Sequence, residues 1–153
     1  MAPMIAPAVE LAKAEGVTLV VETGNGTMVN SNYTARKLID DLDAKNTLKV
    51  LWDPANNCWC HERAYPDGYE EVRGGYLGHI HIKDVLVDTP RATLEVRRMG
   101  EGQLADQFQP LADALRADGY DGVISFERVY HPGNGNFEDG FRLCIDRFKE
   151  IFG

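Results

Sequence analysis

LGHIHIKD occupies residues 77–84. Apolar and polar residues alternate through it with the period of two expected of a β-strand. His79 and His81 lie two residues apart, and Lys83 follows at the same spacing. All three are therefore expected on one face of the strand. A strand that ends in side chains of this kind makes the ends of its neighbours the next thing to read.

Working outward, three further strand patterns stand at VTLVVE (17–22), LKVLWD (48–53) and DGVISFE (121–127). The first is a continuous apolar run rich in valine, of the sort expected in a strand buried on both faces. Helical patterns separate them. Residues 4–15 place Ile5, Val9 and Ala12 at helical spacing, and Gly16 is a stop signal. Asn32 or Thr34 is expected to cap a helix reaching Ala44, with Leu38, Ile39 and Leu42 on its apolar side. YEEVRGG (69–75) reads as a short helix closed by glycines. Residues 104–119 read as a helix in which Pro110 is a local disturbance, and 137–152 as the closing helix. Residues 54–68, 85–103 and 128–134 are expected to be loops.

The order is thus α-β-α-β-α-β-α-β-α, which implies parallel strands joined by right-handed helical crossovers. Four such strands fit either an open doubly wound sheet or half of a barrel. Neither GxGxxG nor GxxxxGK[ST] follows the first strand, and GNG at 24–26 is too short to count as a nucleotide loop.

With 153 residues the chain is expected to form a single domain, whereas a complete eight-stranded α/β barrel takes about 250 residues. The composition, 44% hydrophobic and 26% charged, is that of a soluble globular protein. Sixteen basic against 24 acidic residues give a net charge of -8. That balance argues against nucleic-acid binding, which needs a basic surface. No run approaches the roughly 18 apolar residues of a membrane span. Residues 1–14 lack the basic start of a signal peptide, and three cysteines do not make a disulfide framework. The cytoplasm is the expected location.

Each of the four strands carries a metal-capable residue at or near its C-terminal end: Glu22, Asp53, His81 and Glu127. In parallel α/β folds this is the edge where sites are built. Singly, each carboxylate could be a helix cap or a solvated loop residue. Four at one edge form an oxygen-rich set suited to Mn²⁺, Mg²⁺ or Co²⁺ rather than to a thiolate-type zinc site.

At these residues the sequence resembles the xylose-isomerase-like barrel superfamily of sugar isomerases and epimerases. The pieces that carry the resemblance are VVETG (20–24), LWDPANN (51–57), LGHIHIKD (77–84), MGEGQL (99–104) and YDGVISFE (120–127). The resemblance implies a (β/α) TIM-barrel fold, of which residues 1–153 supply the C-terminal half with four parallel strands. It implies a divalent metal held by Glu22, Asp53, His81 and Glu127. Mn²⁺ is the first expectation, with Mg²⁺, Co²⁺ or Zn²⁺ as alternatives. His81, the second histidine of the HxH pattern, takes the ligand role, and His79 lies one layer lower. Asn56 stands where endonuclease relatives carry an extra histidine, which speaks for a single-metal sugar site. The implied reaction removes a proton next to a carbonyl through an enediolate, with Glu22 and Glu127 as the acid–base pair. A dehydratase acting on an inosose or shikimate-type substrate, or a half-barrel that binds metal without turnover, are the alternatives. The implied ligand is a small sugar or sugar-like polyol. A homodimer that completes the barrel would cover the open inner face and the two sheet edges.

Lys83, His79, Asn56, Arg98 and His131 are the candidate substrate contacts. Lys83 could instead be a structural partner of a neighbouring acid such as Asp84. His131 could be an ordinary loop histidine. Arg97 and Arg98 could meet a phosphate or simply be solvated. Trp52 alternates with Asp53 and is expected in the core. Cys58, Cys60 and His61 form CWCH, but no second pair stands at zinc-finger spacing, so free thiols are the expected reading.

Overall fold

The computed structural model describes residues 1–127 and 130–153. Four strands, β1 (Leu19–Glu22), β2 (Leu48–Trp52), β3 (Leu77–Ile82) and β6 (Val123–Phe126), form one parallel sheet in the order β1-β2-β3-β6. Helices α1 (Ala2–Glu15), α2 (Asn32–Asp41), α4 (Tyr69–Val72), α5 (Phe108–Ala117) and α6 (Phe137–Phe152) alternate with them. A further short helix, α3 (Pro54–Asn57), opens directly from the end of β2. The α/β alternation expected from the sequence is therefore present.

Several boundaries differ for local reasons. Ser31, rather than Asn32 or Thr34, caps α2: its hydroxyl accepts the Thr34 N–H at 3.2 Å, and Thr34 Oγ1 accepts the Ser31 N–H at 3.0 Å. The Asn32 amide instead donates inward to the Gly68 carbonyl at 2.7 Å. Pro110 falls in the first turn of α5, where a missing N–H costs nothing, so the helix is not disturbed. Residues 85–103, expected to be a loop, contain a two-stranded antiparallel hairpin of β4 (Asp84–Asp88) and β5 (Thr93–Arg97). Its signal was present in the apolar run Val85–Val87 and in the alternation of Leu94 and Val96 with polar residues, on either side of a turn.

The sheet has two unlike faces. Val50, Trp52, Ile80 and Ile82 point outward and are closed off completely beneath the helices. Val20 and Val123 lie on the opposite, inner face and are 47% and 60% exposed. VTLVVE is thus not a strand buried on both faces, because none of the described residues closes off Val20 on its inner side. Gly78 sets which β3 residues face inward. Leu77 pairs with Val50 and His79 with the next residue, Leu51, so Gly78 is an extra residue in β3. A Cβ on Gly78 would lie 2.6 Å from the Lys49 Cβ and 3.2 Å from Val20 Cγ1, too close for any side chain. With that bulge His79, His81 and Lys83 all turn to the inner face beside the ends of β1 and β2.

Candidate metal centre

Asp53 follows β2 directly and starts α3. Its Oδ1 accepts the Ala55 N–H at 3.0 Å and the Asn56 N–H at 3.4 Å, so the carboxylate doubles as the helix N-cap. This fixes Asp53, fully buried, with Oδ2 turned to the inner edge. Thr23 locks the end of β1 against it. The Thr23 N–H donates to Leu51 O at 3.1 Å, and Thr23 Oγ1 accepts the Asp53 N–H at 3.2 Å. The Asn56 amide completes the latch by donating to Thr23 O at 3.0 Å. Thr23 and Asn56 together hold Glu22 beside Asp53. The sequence reading missed Thr23, although it lies inside VVETG.

Glu22, Asp53 and His81 converge at the C-terminal edge of the sheet, with one potential ligand atom from each lying within 4.8 Å of the others. His81 Nδ1 is 3.4 Å from Glu22 Oε1 and, though buried, has no hydrogen-bond partner among the described residues. A buried ring nitrogen without a partner, facing carboxylates, is what a cation would satisfy. The donor set, two carboxylates and one imidazole, fits a hard or borderline divalent ion.

Glu127 is not one of these three, and its link to them runs through Lys83. Its backbone N–H donates to Ile82 O at 2.9 Å, continuing β6 alongside β3. Its Oε2 lies 2.5 Å from Lys83 Nζ, and the same ammonium contacts Asp53 Oδ2. Burial opposes the charge on Lys83, but the two carboxylates outweigh it and hold the pKa above that of an ordinary lysine. Burial pushes the Asp53 carboxyl up, and Lys83 opposes that push.

Lys83 is therefore not the partner of Asp84. The two successive residues face opposite ways. Asp84, almost fully buried, accepts N–H groups from Val85, Gly100, Gly102 and Leu104 at 2.9 to 3.2 Å. It clamps the GEG turn to the start of the hairpin, and a Cβ on Gly102 would come within 2.2 Å of Asp84 Oδ1. This link between HIKD and GEGQL was not foreseen.

The remaining candidates divide by position. His79 lies below His81 with ring centroids 5.1 Å apart, and its Nε2 shares a hydrogen bond with Ser125 Oγ at 2.9 Å. Arg98 donates to Leu143 O at 3.2 Å on α6 and lies 3.6 Å from Glu101, so its contacts are with α6 and its own turn rather than with the cluster. His131 is exposed. Its Nδ1 accepts the Gly133 N–H and its ring packs edge-on to Phe137, both within its own loop and helix. Cys58 and Cys60 donate to different carbonyls, Pro54 O and Asn30 O, and burial pushes the Cys58 thiol up to about 11. Neither belongs to the metal-capable group among the described residues. Trp52 is core, as expected.

The family model of the xylose isomerase-like TIM barrel matches residues 1–148. The chain belongs to that family. No curated protein matches it. Among solved structures it is similar to a D-psicose 3-epimerase in the presence of D-fructose, at 18% identity and TM-score 0.72, covering 99% of this chain and 55% of that one. It is also similar to the IOLI protein with a bound zinc atom, at 17% identity and TM-score 0.72, covering 99% and 54%. A third is the probable 3-DHS dehydratase AsbF from Bacillus anthracis, at 18% identity and TM-score 0.69, covering 95% and 56%. The shared fold is the TIM barrel, and the chain spans about half the length of these structures. No helix among the described residues is long and apolar enough to cross a membrane.

Proposed function

We propose that the chain carries the metal centre of a sugar isomerase or epimerase of this family, with Glu22, Asp53, His81 and Glu127 as ligands. The observation that carries the reading is the convergence of Glu22, Asp53 and His81 around an unpartnered His81 Nδ1. A bound divalent ion, Mn²⁺ first and Mg²⁺, Co²⁺ or Zn²⁺ otherwise, would polarise the carbonyl of a small sugar. Glu22 and Glu127 stand at the ends of the first and last strands of the sheet, on opposite sides of the cluster. One accepts the proton from the carbon next to the carbonyl, and the other returns one. Return on the opposite face gives an epimer; return to the neighbouring carbon gives an isomer. His79, beneath His81, supports the ligand ring, and Asn56 holds the β1–β2 edge. The likeness to AsbF favours one second reading, in which the same proton removal is followed by loss of a hydroxyl.

The open inner face and the two sheet edges support a second copy of the chain as the covering partner. On this reading the protein acts in the cytoplasm on small sugars, with neither nucleic acid nor membrane as a partner.

Calorimetric titration with Mn²⁺ tests the centre. Stoichiometric binding is expected, falling at least tenfold in His81→Ala. Solvent deuterium should enter a ketose at the carbon next to its carbonyl, and Glu127→Gln should slow this by about two orders of magnitude or more. Absence of metal binding by the unaltered chain would remove the proposal.

A further inference from the structure

Three cationic or thiol-bearing features lie outside the group of Glu22, Asp53 and His81: the CWCH turn, Arg98 and Lys83. Only Lys83 is placed against the candidate ligands. Its ammonium contacts Asp53 Oδ2 and lies 2.5 Å from Glu127 Oε2, and the side chain is only 11% exposed. Asp53 Oδ1 is already engaged by two backbone N–H groups at the start of α3. The oxygen of Asp53 turned to the cluster is therefore the one Lys83 holds. Glu127 meets the same ammonium through its Oε2. A divalent ion and the Lys83 ammonium cannot both sit between these two oxygens, since each needs them at contact distance and their charges repel.

We propose that Lys83 is a built-in counter-cation that holds Glu127 against Asp53, and that a divalent ion gains these two ligands only by displacing the ammonium. The proposal rests on the metal-centre reading above. Lys83 on this view positions the ligands: it keeps two carboxylates from repelling each other at one edge, and it sets the affinity of the site for metal. Glu22 and His81, which Lys83 does not touch, form the half of the site where an arriving ion first binds.

Two measurements on the full chain test this. In the first, the ammonium resonance of Lys83 is followed by ¹H–¹⁵N NMR of the unaltered protein and assigned by its loss in Lys83→Arg. A protected Lys83 signal is expected without metal and should vanish or shift to that of a solvated lysine at saturating Mg²⁺. A signal unchanged at saturation overturns the proposal while leaving the metal centre intact. In the second, Mn²⁺ affinity is compared by calorimetry in the unaltered protein and Lys83→Met, with circular dichroism confirming that both are folded. Lys83→Met is expected to bind at least tenfold more tightly, because no ammonium has to leave. Equal or weaker binding by the folded variant overturns the proposal. Failure of the unaltered protein to bind any of Mn²⁺, Mg²⁺, Co²⁺ or Zn²⁺ overturns the metal-centre reading and this one together.

Discussion

On the outward face of the sheet, Val50, Trp52, Ile80 and Ile82 are each fully closed off beneath helices, whereas on the inward face Val20 and Val123 are about half exposed or more. The same four strands supply both faces. The difference lies in what covers them. The outward side is filled by this chain's own helices, so its side chains were chosen for packing. The inward side carries Glu22, Asp53, His79, His81, Lys83 and Glu127 toward the C-terminal edge. Of these, Asp53 is fully buried and Lys83 nearly so, and burying such charges costs stability unless they pair with one another or with a cation. The chain therefore separates two kinds of side chain by face, with apolar packing outside and ionisable groups inside.

The largest effect is expected where the outer face is densest. Trp52 is completely buried, and Gly68 approaches its ring so closely that a Cβ there would be 3.2 Å from Cζ2. Trp52→Ala should cost about 4 kcal/mol in urea unfolding, from lost burial plus the cavity left behind. A loss under about 1 kcal/mol would mean that the outer layer is not the source of cohesion.

Next in size is the clamp that joins the faces through β3 and the hairpin. Asp84→Ala would leave four backbone N–H groups without their acceptor, and a cost of about 3 kcal/mol is expected. Thermal unfolding of the variant measures it. Limited proteolysis should locate the damage in residues 98–104, since that turn is what the carboxylate holds.

How far these features were legible in the sequence follows from their range. The four strands and their helices were readable because each is a local pattern of four to sixteen residues, and the end-of-strand positions of Glu22, Asp53, His81 and Glu127 came with them. Lys83 was placed on the inner face correctly, but its partners were not: Asp53 is 30 residues away and Glu127 is 44. Asp84 adjoins it and was the natural guess, yet alternation along the strand sends it to the other side. Thr23 and the Gly78 bulge were missed for the same reason. A hydroxyl that latches two strand ends, or an extra residue that resets a register, has no signature until the strands are paired.

A smaller effect is expected on the open face. Val123→Ser should change the stability of an isolated chain by no more than about 0.5 kcal/mol, since the side chain is 60% exposed. If a second copy covers this face, the consequence appears in mass instead. Light scattering of the unaltered chain should then give twice 17.0 kDa, and Val20→Asp with Val123→Asp should return it to the monomer. A monomer throughout would leave the inner face to some other partner and sharpen the contrast between the two sides.

The smallest effect concerns His79, beneath the cluster. Burial, and then the neighbouring His81, lower its pKa from 6.5 in the folded chain. The unfolded chain therefore binds a proton at His79 more readily than the folded one does. By linkage, the stability this residue contributes is fully present above about pH 6.5 and is lost as pH falls through the lower folded value. His79→Gln keeps a polar group near Ser125 but cannot titrate. Between about pH 8 and about pH 5, the melting temperature of the unaltered chain should fall by a degree or two more than that of the variant. Parallel curves would mean that the inner face tolerates a protonated His79. The open side would then be wet enough to solvate the charge, and the contrast between the two faces would extend to the layer below His81.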